Sequence, residues 1–573
     1  MTHIIRPLPI VLVALVLAVA GTTVSAAPPP PSQLVTFPNP GPDVLAQLAG
    51  QGWDIWEVTP TQVTAQLTPI QVTALHSQGL EVTLLGNELQ YVVRYPQCYR
   101  TFAKAVTDLQ GWANAYPDLT ELIDAGSSWQ TAQGTANRRL WTLRITNENN
   151  LEPKPKLLLV ALHHAREIVT PEVALNLAEL LLTGYGKDAD ITWIVDNREV
   201  WIVPFVNPDG HLRAEQSQDW RKNADDSQSS CSGSSPPNSF GVDLNRNYDY
   251  LWGTIGASSN PCSLTYKGQA GFSEPETQAI RDLVLAQKFS LVISLHSYSN
   301  LILYPWGYTY SPAPDDAGLQ AAAFVLSSFN GYTPQQSSDL YPTSGDTCDW
   351  VYGANGIPCY TFEIGGGWAE NYFWPDCATA HEQWLENRDA LLHAIKLAGD
   401  PYRLAEAPVV RDIQLHHRGR YLTVEAVLDR SATSPEPPAG GDIFIDQIGL
   451  PGTGVLLLPG DQVLNSAAET MTATIDVSGM QGRHTLYVVG LDDAGRHGPP
   501  AAVYFQPCPD ATDDGEINVE DVMQIAALWR FRAGDLEYDA ALDLNGDGQI
   551  DVQDTSLMAA RWGESCTAQS PVY

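Results

Sequence analysis

Two side chains able to share a cation stand three positions apart at the end of an apolar run. In LLLVALHHAREIVTPE (Leu157–Glu172) a short apolar stretch empties into His163, His164, Arg166 and Glu167. Such a run reads as a buried strand. Two more runs end the same way: Leu291–Leu295 delivers His296, and Pro358–Phe362 delivers Glu363. His164, Glu167 and His296 are two imidazoles and a carboxylate, donors that Zn²⁺ accepts in sets leaving one coordination position open. Glu363 is then left over as a general base for a bound water. His163 points the other way along an extended chain and is not counted as a ligand. Ser297 and Tyr298 read as wall residues, since no base partner is evident.

For these four groups to meet, their strands must be sheet neighbours with the carboxyl ends on one side, where open α/β sheets bind ligands. A fourth run, Val200–Val206, leads into Asn207-Pro208-Asp209-Gly210, a turn signal in which Asp209 reads as a turn former. Helix-like stretches at Thr101–Ala115, after Thr170 and at Thr379–Ala398 alternate with strand-like runs, Arg138–Ile145 among them. That alternation predicts an α/β layer fold. The whole chain reads as an α/β catalytic domain with a mixed sheet flanked by helices, then an all-β sandwich, then a small α-helical Ca²⁺-loop module.

The 573 residues are too many for one core. With 31 Lys+Arg against 66 Asp+Glu the net charge is −35, which argues against nucleic acid as a partner. Arg6, the apolar run Ile10–Ala20 and Val24-Ser25-Ala26 predict a signal peptide over 1–26, and hence secretion. No later run is long and apolar enough to span a bilayer. The eight cysteines suit an oxidising compartment. Position suggests Cys231–Cys262 and Cys508–Cys566; the other four stay unassigned. No C-x-x-C occurs, which counts against a Cys₄ zinc site.

Residues 27–95 read as a removable pro-segment of small α+β type, with a helix at Thr68–Gln78. The catalytic domain spans 96–400, and Asp400–Ala405 reads as a linker. Short alternating strands between Gly and Pro predict the sandwich over 406–507. In 508–566, Asp510, Thr512, Asp514, Glu516, Asn518 and Asp521 repeat as Asp543, Asn545, Asp547, Gln549, Asp551 and Asp554. Oxygen side chains at loop positions 1, 3, 5, 9 and 12, with Gly515 and Gly548 at position 6, predict two EF-hand-type Ca²⁺ sites. A helix is expected after each, at Val522–Trp529 and Thr555–Trp562.

The residues from Tyr99 to Ala398 resemble the M14 family of zinc carboxypeptidases, most closely its bacterial carboxypeptidase T branch. The resemblance implies one catalytic zinc on His164, Glu167 and His296, and Glu363 as catalytic glutamate. It implies Arg221 (in DWRKN) as the arginine that polarises the scissile carbonyl, and Asn245 and Arg246 (in GVDLNRNYD) as the grip on a substrate's free C-terminal carboxylate. It further implies Tyr341 as a mobile cap, Arg166 as a subsite arginine, and Asp346 and Cys348 near the base of the side-chain pocket, with tolerance for apolar and basic ends. The last module resembles a dockerin, which implies two Ca²⁺ ions and a cohesin-type scaffold partner through 508–566. The function expected is a secreted zinc carboxypeptidase made as a zymogen. The alternatives are a peptidoglycan stem-peptide metallopeptidase and an inactive binding or scaffold protein.

Overall fold

The computed structural model describes residues 32–87, 93–228, 231, 239–367 and 370–566; the expected signal at 1–26 lies outside them. Four strands come first: β1 (Gln33–Pro38), β2 (Asp54–Val58), β3 (Gln62–Leu67) and β4 (Thr83–Asn87). They form an antiparallel sheet in the order β2-β3-β1-β4. The helices Pro42–Gly50 and Pro69–Ser77 back it, the second opened by a Thr68–Gln71 capping box. Val35, Phe37, Leu48, Val63 and Leu75 give this unit its own core.

The next eight strands are β5 (Thr120–Ser127), β6 (Arg139–Ile145), β7 (Lys156–Ala161), β8 (Glu199–Val203), β9 (Leu291–His296), β10 (Leu301–Tyr304), β11 (Thr333–Gln336) and β12 (Cys359–Glu363). They make one sheet in the order β11-β10-β12-β9-β7-β8-β6-β5. Its centre, β12-β9-β7-β8, is parallel. The pairings of β10 with β12, β6 with β8 and β5 with β6 are antiparallel, so the sheet is mixed. Strand β7 accounts for its unbroken apolar sequence. Leu157, Leu159 and Ala161 enter the core under the helices Val169–Gly184 and Cys377–Leu397, while Leu158 and Val160 enter a second core under Pro275–Gln287. Successive side chains alternate in direction, so a strand covered on both faces must be apolar throughout.

Register fixes where these strands end. Glu363 of β12 pairs with His296 of β9, and Ala161 of β7 pairs with Leu295 of β9. Beyond Ala161 the chain turns through Leu162, which is left-handed at φ 61°. That conformation costs an L-residue roughly 1–2 kcal/mol. The Leu162 N–H donates to Thr170 Oγ1 at 3.1 Å and helps hold the turn.

The run expected to be a linker at Asp400–Ala405 is instead the helix Pro401–Glu406, opened by Pro401, with Leu404 and Ala405 packed into the main core. A proline at the first turn suits a helix start. Eight further strands follow: β13 (Val409–Arg418), β14 (Tyr421–Asp429), β15 (Gly441–Ile445), β16 (Val455–Leu456), β17 (Leu458–Pro459), β18 (Ala468–Asp476), β19 (His484–Leu491) and β20 (His497–Phe505). They form two antiparallel sheets, β13-β14-β18-β17 and β16-β15-β19-β20, around a shared core that includes Leu422, Ile443, Met471, Leu486 and Phe505. The run at 455–458 is not one strand. It crosses between the sheets at buried Leu457. Strand β20 carries Pro499 and Pro500, and it lies at a sheet edge, where proline is tolerated. It is fastened to the larger domain: Lys396 Nζ donates to Asp190 Oδ2 at 2.6 Å and to the Pro500 carbonyl at 2.9 Å, and Ala502 N donates to Asp190 Oδ1 at 3.0 Å.

The last segment holds the helices Val519–Ala527 and Val552–Ala559 over Ile517, Ile525, Ile550 and Met558. The tip of the β13–β14 hairpin plugs into it. Gly419 N donates to the Asp510 carbonyl (2.7 Å) and Arg420 N to the Ala541 carbonyl (2.8 Å). A Cβ at Gly419 would lie 1.9 Å from the Ala541 oxygen, and its φ is +56°, so the position requires glycine. Four disulfides are present: Cys231–Cys262 and Cys508–Cys566, and also Cys98–Cys377 and Cys348–Cys359.

Candidate active site

The strand ends bring three donors together. His164 Nδ1 lies 2.6 Å from Glu167 Oε1, His296 Nδ1 lies 3.0 Å from Glu167 Oε2, and the two Nδ1 atoms are 3.2 Å apart. Among the described residues this is the cluster of three such side chains able to hold a metal. All three are buried. The donor set fits zinc: two imidazoles and a carboxylate with ligand atoms turned to one point. Burial pushes the His296 imidazole down towards its neutral form. Burial opposes ionisation of Glu167, but the two imidazoles pull its carboxyl well below the ordinary range.

The imidazole of His164 is held from behind. Its Nε2 lies 3.1 Å from Asp243 Oδ1, and Asp243 Oδ2 accepts from Arg221 Nε at 3.1 Å and Nη2 at 3.0 Å. Burial would raise the Asp243 carboxyl, yet Arg221 and His164 hold it far below its usual value. A carboxylate on the far nitrogen of a ligating histidine fixes the ring's tautomer and orientation. His163 turns away, as expected: its Nε2 lies 2.8 Å from the Tyr248 hydroxyl and 3.1 Å from Thr347 Oγ1, and burial holds it neutral.

Glu363 opens on the same cavity, with Arg166, Arg221, Asn245, Arg246, Tyr341 and Asp346 also in its wall; Ser297 and Tyr298 line it as well. Burial and the Glu167 carboxylate push the Glu363 carboxyl well above its usual range, against the pull of Arg221 and Arg246. Arg246 sits on the 3-10 turn Leu244–Arg246. Its Nη1 donates to the Asn245 carbonyl (2.7 Å) and its Nε to the Gly256 carbonyl (3.2 Å). Among the described residues its Nη2 makes no protein hydrogen bond. Asn245 Oδ1 accepts from Thr347 N at 2.9 Å, which leaves the amide edge towards the cavity. Asp346 caps the helix Thr347–Asn355, with Oδ1 accepting from Asp349 N at 2.9 Å.

Two expected placements differ. Cys348 does not line the cavity. Its sulfur is bonded to Cys359, and Thr361 of β12 stands at the wall instead. Asp209 does more than form a turn: Asn207 caps the helix Pro208–Glu215, and buried Asp209 pairs with Arg138 Nε at 2.5 Å.

The N-terminal unit covers this site. Asp54 on β2 receives Arg166 Nη2 at 2.7 Å and Nη1 at 3.0 Å. Ile55 and Trp56 enter the cavity wall, and Trp56 packs edge-on against Phe373 and Tyr372, with ring centroids 5.1 and 5.0 Å apart. Tyr341 packs against this unit's core. Asp243, Asp54 and Thr361 escaped the sequence reading. Asp243 had a signal, as an acid two residues before Asn245. Asp54 had none, because its partner lies more than a hundred residues away.

The zinc carboxypeptidase family model (Peptidase_M14) matches residues 106–390. A zinc carboxypeptidase of Saccharothrix mutabilis subsp. capreolus is 32% identical over 359 residues, covering 56% of this chain and 79% of that protein. The chain belongs to the zinc carboxypeptidase family. Carboxypeptidase A1 of Rattus norvegicus is likewise 32% identical over 293 residues, 49% of this chain and 66% of that one. The crystal structure of carboxypeptidase A from Helicoverpa armigera superposes with a TM-score of 0.55 at 22% identity, over 65% of this chain and 98% of that chain, and so shares its fold. The chain is thus a metallocarboxypeptidase-family hydrolase whose α/β domain is of carboxypeptidase type, with zinc as the expected metal and peptides bearing a free C-terminus as the substrates of the family. Among the described residues no helix is long and apolar enough to cross a membrane.

In 508–566 the first and twelfth loop positions approach one another. Thr512 N donates to Asp510 Oδ1 (3.0 Å) and Asp521 Oδ1 (3.2 Å), and Asn545 N to Asp554 Oδ1 (3.2 Å). Asp514 accepts from Asn518 Nδ2 at 3.0 Å, Asp547 from Asn545 Nδ2 at 3.2 Å, and Asp543 Oδ2 from Gly548 N at 2.8 Å. Asp551 caps its helix. At position 7, Glu516 and Gln549 form backbone bridges with Ser565 and Arg532; EF-hand loops use a backbone carbonyl there.

Proposed function

We propose that this family member is a secreted, zymogenic enzyme that removes C-terminal residues from peptides, with His164, Glu167 and His296 as zinc ligands. Zinc held there supplies a Lewis acid and lowers the pKa of a bound water. Glu363 accepts the proton of the attacking water and returns it to the leaving amine nitrogen. Arg221 donates to the scissile carbonyl oxygen as charge develops on it. Arg246 and Asn245 receive the terminal carboxylate, a role for which a planar guanidinium is suited. Asp346 and Thr361 border the side-chain pocket, and the acid favours basic ends alongside apolar ones. Tyr341 closes over the substrate once the N-terminal unit has left.

The single observation carrying this reading is that Glu363 pairs in register with His296, so that a base and three metal donors face one cavity that also holds Arg246. The zymogen part rests on Asp54 and Trp56, which occupy Arg166 and the entrance. The domain limits proposed are 27–95, 96–400, 406–507 and 508–566. The last binds two Ca²⁺ ions and is read as a docking module for a cohesin-type scaffold. Peptides differing only in a free or amidated C-terminus, assayed on the processed enzyme with and without a chelator, test the core claim. Release of amino acids from both at equal rates would remove the carboxylate-binding role.

A further inference from the structure

We propose that the crevice between the α/β domain and the β-sandwich is a second binding site, one that takes a single apolar amino acid. The site is separate from the metal centre and does not rest on how that centre is read. Its walls come from both domains. The helices Asp316–Asn330 and Cys377–Leu397 supply Phe329 and His393, β13 supplies Arg411 and Asp412, and β20 supplies Ala501. They leave about 220 Å³ between them. A cavity of roughly 150 Å³ already holds a benzene ring, so the space suits a molecule of that order.

Two polar groups in this wall lack partners. His393 is 6% exposed, yet its Nε2 makes no hydrogen bond among the described residues. Arg411 donates from Nε to Asp429 Oδ2 at 3.1 Å and from Nη2 to Ser328 Oγ at 2.7 Å, which leaves Nη1 unused among the described residues. Lys396, the other cation of the wall, is already engaged by Asp190 and the Pro500 carbonyl. A buried nitrogen without a partner is costly, and native proteins pair it. With its proton on Nε2, the His393 ring adds a donor to the Arg411 guanidinium. The charges of Lys396 and Arg411 both bear on that ring, so the spot favours an anion. A carboxylate meets both demands through charge-assisted hydrogen bonds.

Strand β13 bends to build its side of the crevice. Its pairing with β14 shifts register between Arg411 and Gln414, and Asp412 lies in the left-handed region at φ 50°. L-residues rarely adopt that conformation. A bulge re-aims side chains, and strained backbone gathers at binding sites. Here the bulge accompanies an Arg411 that reaches Ser328 on the α/β domain and an Asp412 that stands in the cavity wall. Asp412 has no cationic partner among the described residues, so its carboxylate is available to an ammonium.

Much of the remaining wall is apolar. Leu392, Val410 and the Phe329 ring line it. The His393 ring lies 4.8 Å from the Phe329 centroid, and the Arg411 guanidinium lies over it at 4.2 Å, so the ring is held where the charged groups converge. A carboxylate, an ammonium and an apolar side chain are the three parts of a free apolar amino acid. Molecules of this class are what a carboxypeptidase releases. Because the crevice takes its walls from two domains, a molecule bound there ties the sandwich to the α/β domain.

The test titrates the zinc-loaded full-length chain with L-leucine by calorimetry and follows its melting temperature as leucine is added. Heat of binding is expected, with a melting temperature that climbs with leucine. Arg411→Gln removes the donor to the carboxylate, and Ala501→Leu fills the cavity without touching a polar group. Each should weaken binding roughly tenfold or more, with circular dichroism confirming that both variants fold. Arg246→Lys, altered in the metal-site cavity, should bind leucine as the wild type does. Leucinamide, which lacks the carboxylate, should not bind, and 4-methylpentanoate, which lacks the ammonium, should bind more weakly than leucine. No binding at about 10 mM leucine overturns the site, as does binding that survives both crevice variants or is lost in Arg246→Lys. Equal affinity for leucine and 4-methylpentanoate would overturn the ammonium contact at Asp412, and with it the choice of an amino acid as ligand.

Discussion

Asp54 and Arg166 face each other through two hydrogen bonds, at 2.7 and 3.0 Å, with both side chains almost wholly buried. Burial alone would raise the Asp54 carboxyl, but the Arg166 charge holds it below its ordinary value. Arg166 also lies over the rings of Phe373 and Trp56, at 4.1 and 5.7 Å from their centroids, so the N-terminal unit gives it both a counter-ion and a lid. Removing one partner of a buried pair strands the other, at a cost of about 3–5 kcal/mol.

Asp54→Asn should therefore loosen the cover. After the chain is cut, the N-terminal unit of the variant is expected to dissociate at least ~100-fold more readily, by the same energy. The dissociation constant from size-exclusion or calorimetric titration reads this. Acid should act likewise. A carboxyl with a lowered bound-state pKa contributes above its free-state value, and that contribution is lost as the pH falls through the lowered one. Retention of the unit should thus be full at neutral pH and fail in strong acid. Identical affinity in variant and wild type would reassign the hold to Trp56 and its aromatic neighbours.

Asp243 joins the metal donors to the oxyanion side of the site, since one oxygen faces His164 and the other accepts from Arg221. Asp243→Asn keeps the shape but loses the charge that orients both. Outer-shell changes of this kind cost roughly 10–100-fold in metal affinity. Competition between the processed enzyme and a chelator of known affinity measures it, and an unchanged zinc affinity would deny Asp243 the orienting role.

The site was legible where strands announced it. His164, His296 and Glu363 each follow an apolar run, because a strand buried on both faces leaves polar residues nowhere to go but its end. The sheet order that makes those ends adjacent was not in the letters, since parallel pairing joins strands far apart in sequence. The same distance hid Asp54 and the Cys98–Cys377 bond. Cys348 misled because its place in the motif said nothing of its covalent partner eleven residues on. Strand β20 was masked by two prolines that only an edge position excuses.

Calcium should stabilise the last module. Burial and the Asp521 charge push the Asp510 carboxyl up, a repulsion that a bound dication removes. Because Gly419 and Arg420 hydrogen-bond to backbone carbonyls in and beside the loops, order gained there passes to the β13–β14 hairpin. At a hundredfold excess of Ca²⁺ over its Kd, linkage gives about 2.7 kcal/mol per site. Calorimetry of the full chain should show a transition that rises with Ca²⁺ and falls with chelator, and Asp510→Ala with Asp543→Ala should abolish the dependence. A melting curve indifferent to Ca²⁺ in the wild type would refute the loop assignment.

Arg246 should discriminate chain ends. Hydrogen bonds to charged groups contribute about 1.5–3 kcal/mol, so Arg246→Lys is expected to lower kcat/KM on free C-termini by roughly 10–150-fold. The slow cleavage of amidated peptides should not change. A parallel loss on both substrates would mean that Arg246 supports the fold of the 3-10 turn through Gly256, rather than reading the carboxylate.

A buried acid away from the chemistry should set an upper limit on stability with pH. Burial pushes the Glu274 carboxyl up to about 7, with Asp225 adding to it and hydrogen bonds from Ser273 and Asn223 opposing. Between its unfolded value near 4.3 and about 7, the folded chain keeps a proton that the unfolded chain has released. Stability must then fall as pH rises through that window, by an amount on the order of 3 kcal/mol. Glu274→Gln keeps the amide-compatible contacts and cannot ionise. Its denaturation midpoint should match the wild type near pH 4.5 and exceed it near pH 8, each measured at fixed zinc and calcium. If the two curves stay parallel across the window, the proton is not held at Glu274. The adjacent buried Glu276, whose carboxyl is also raised by burial and by Glu274 itself, would then be its carrier.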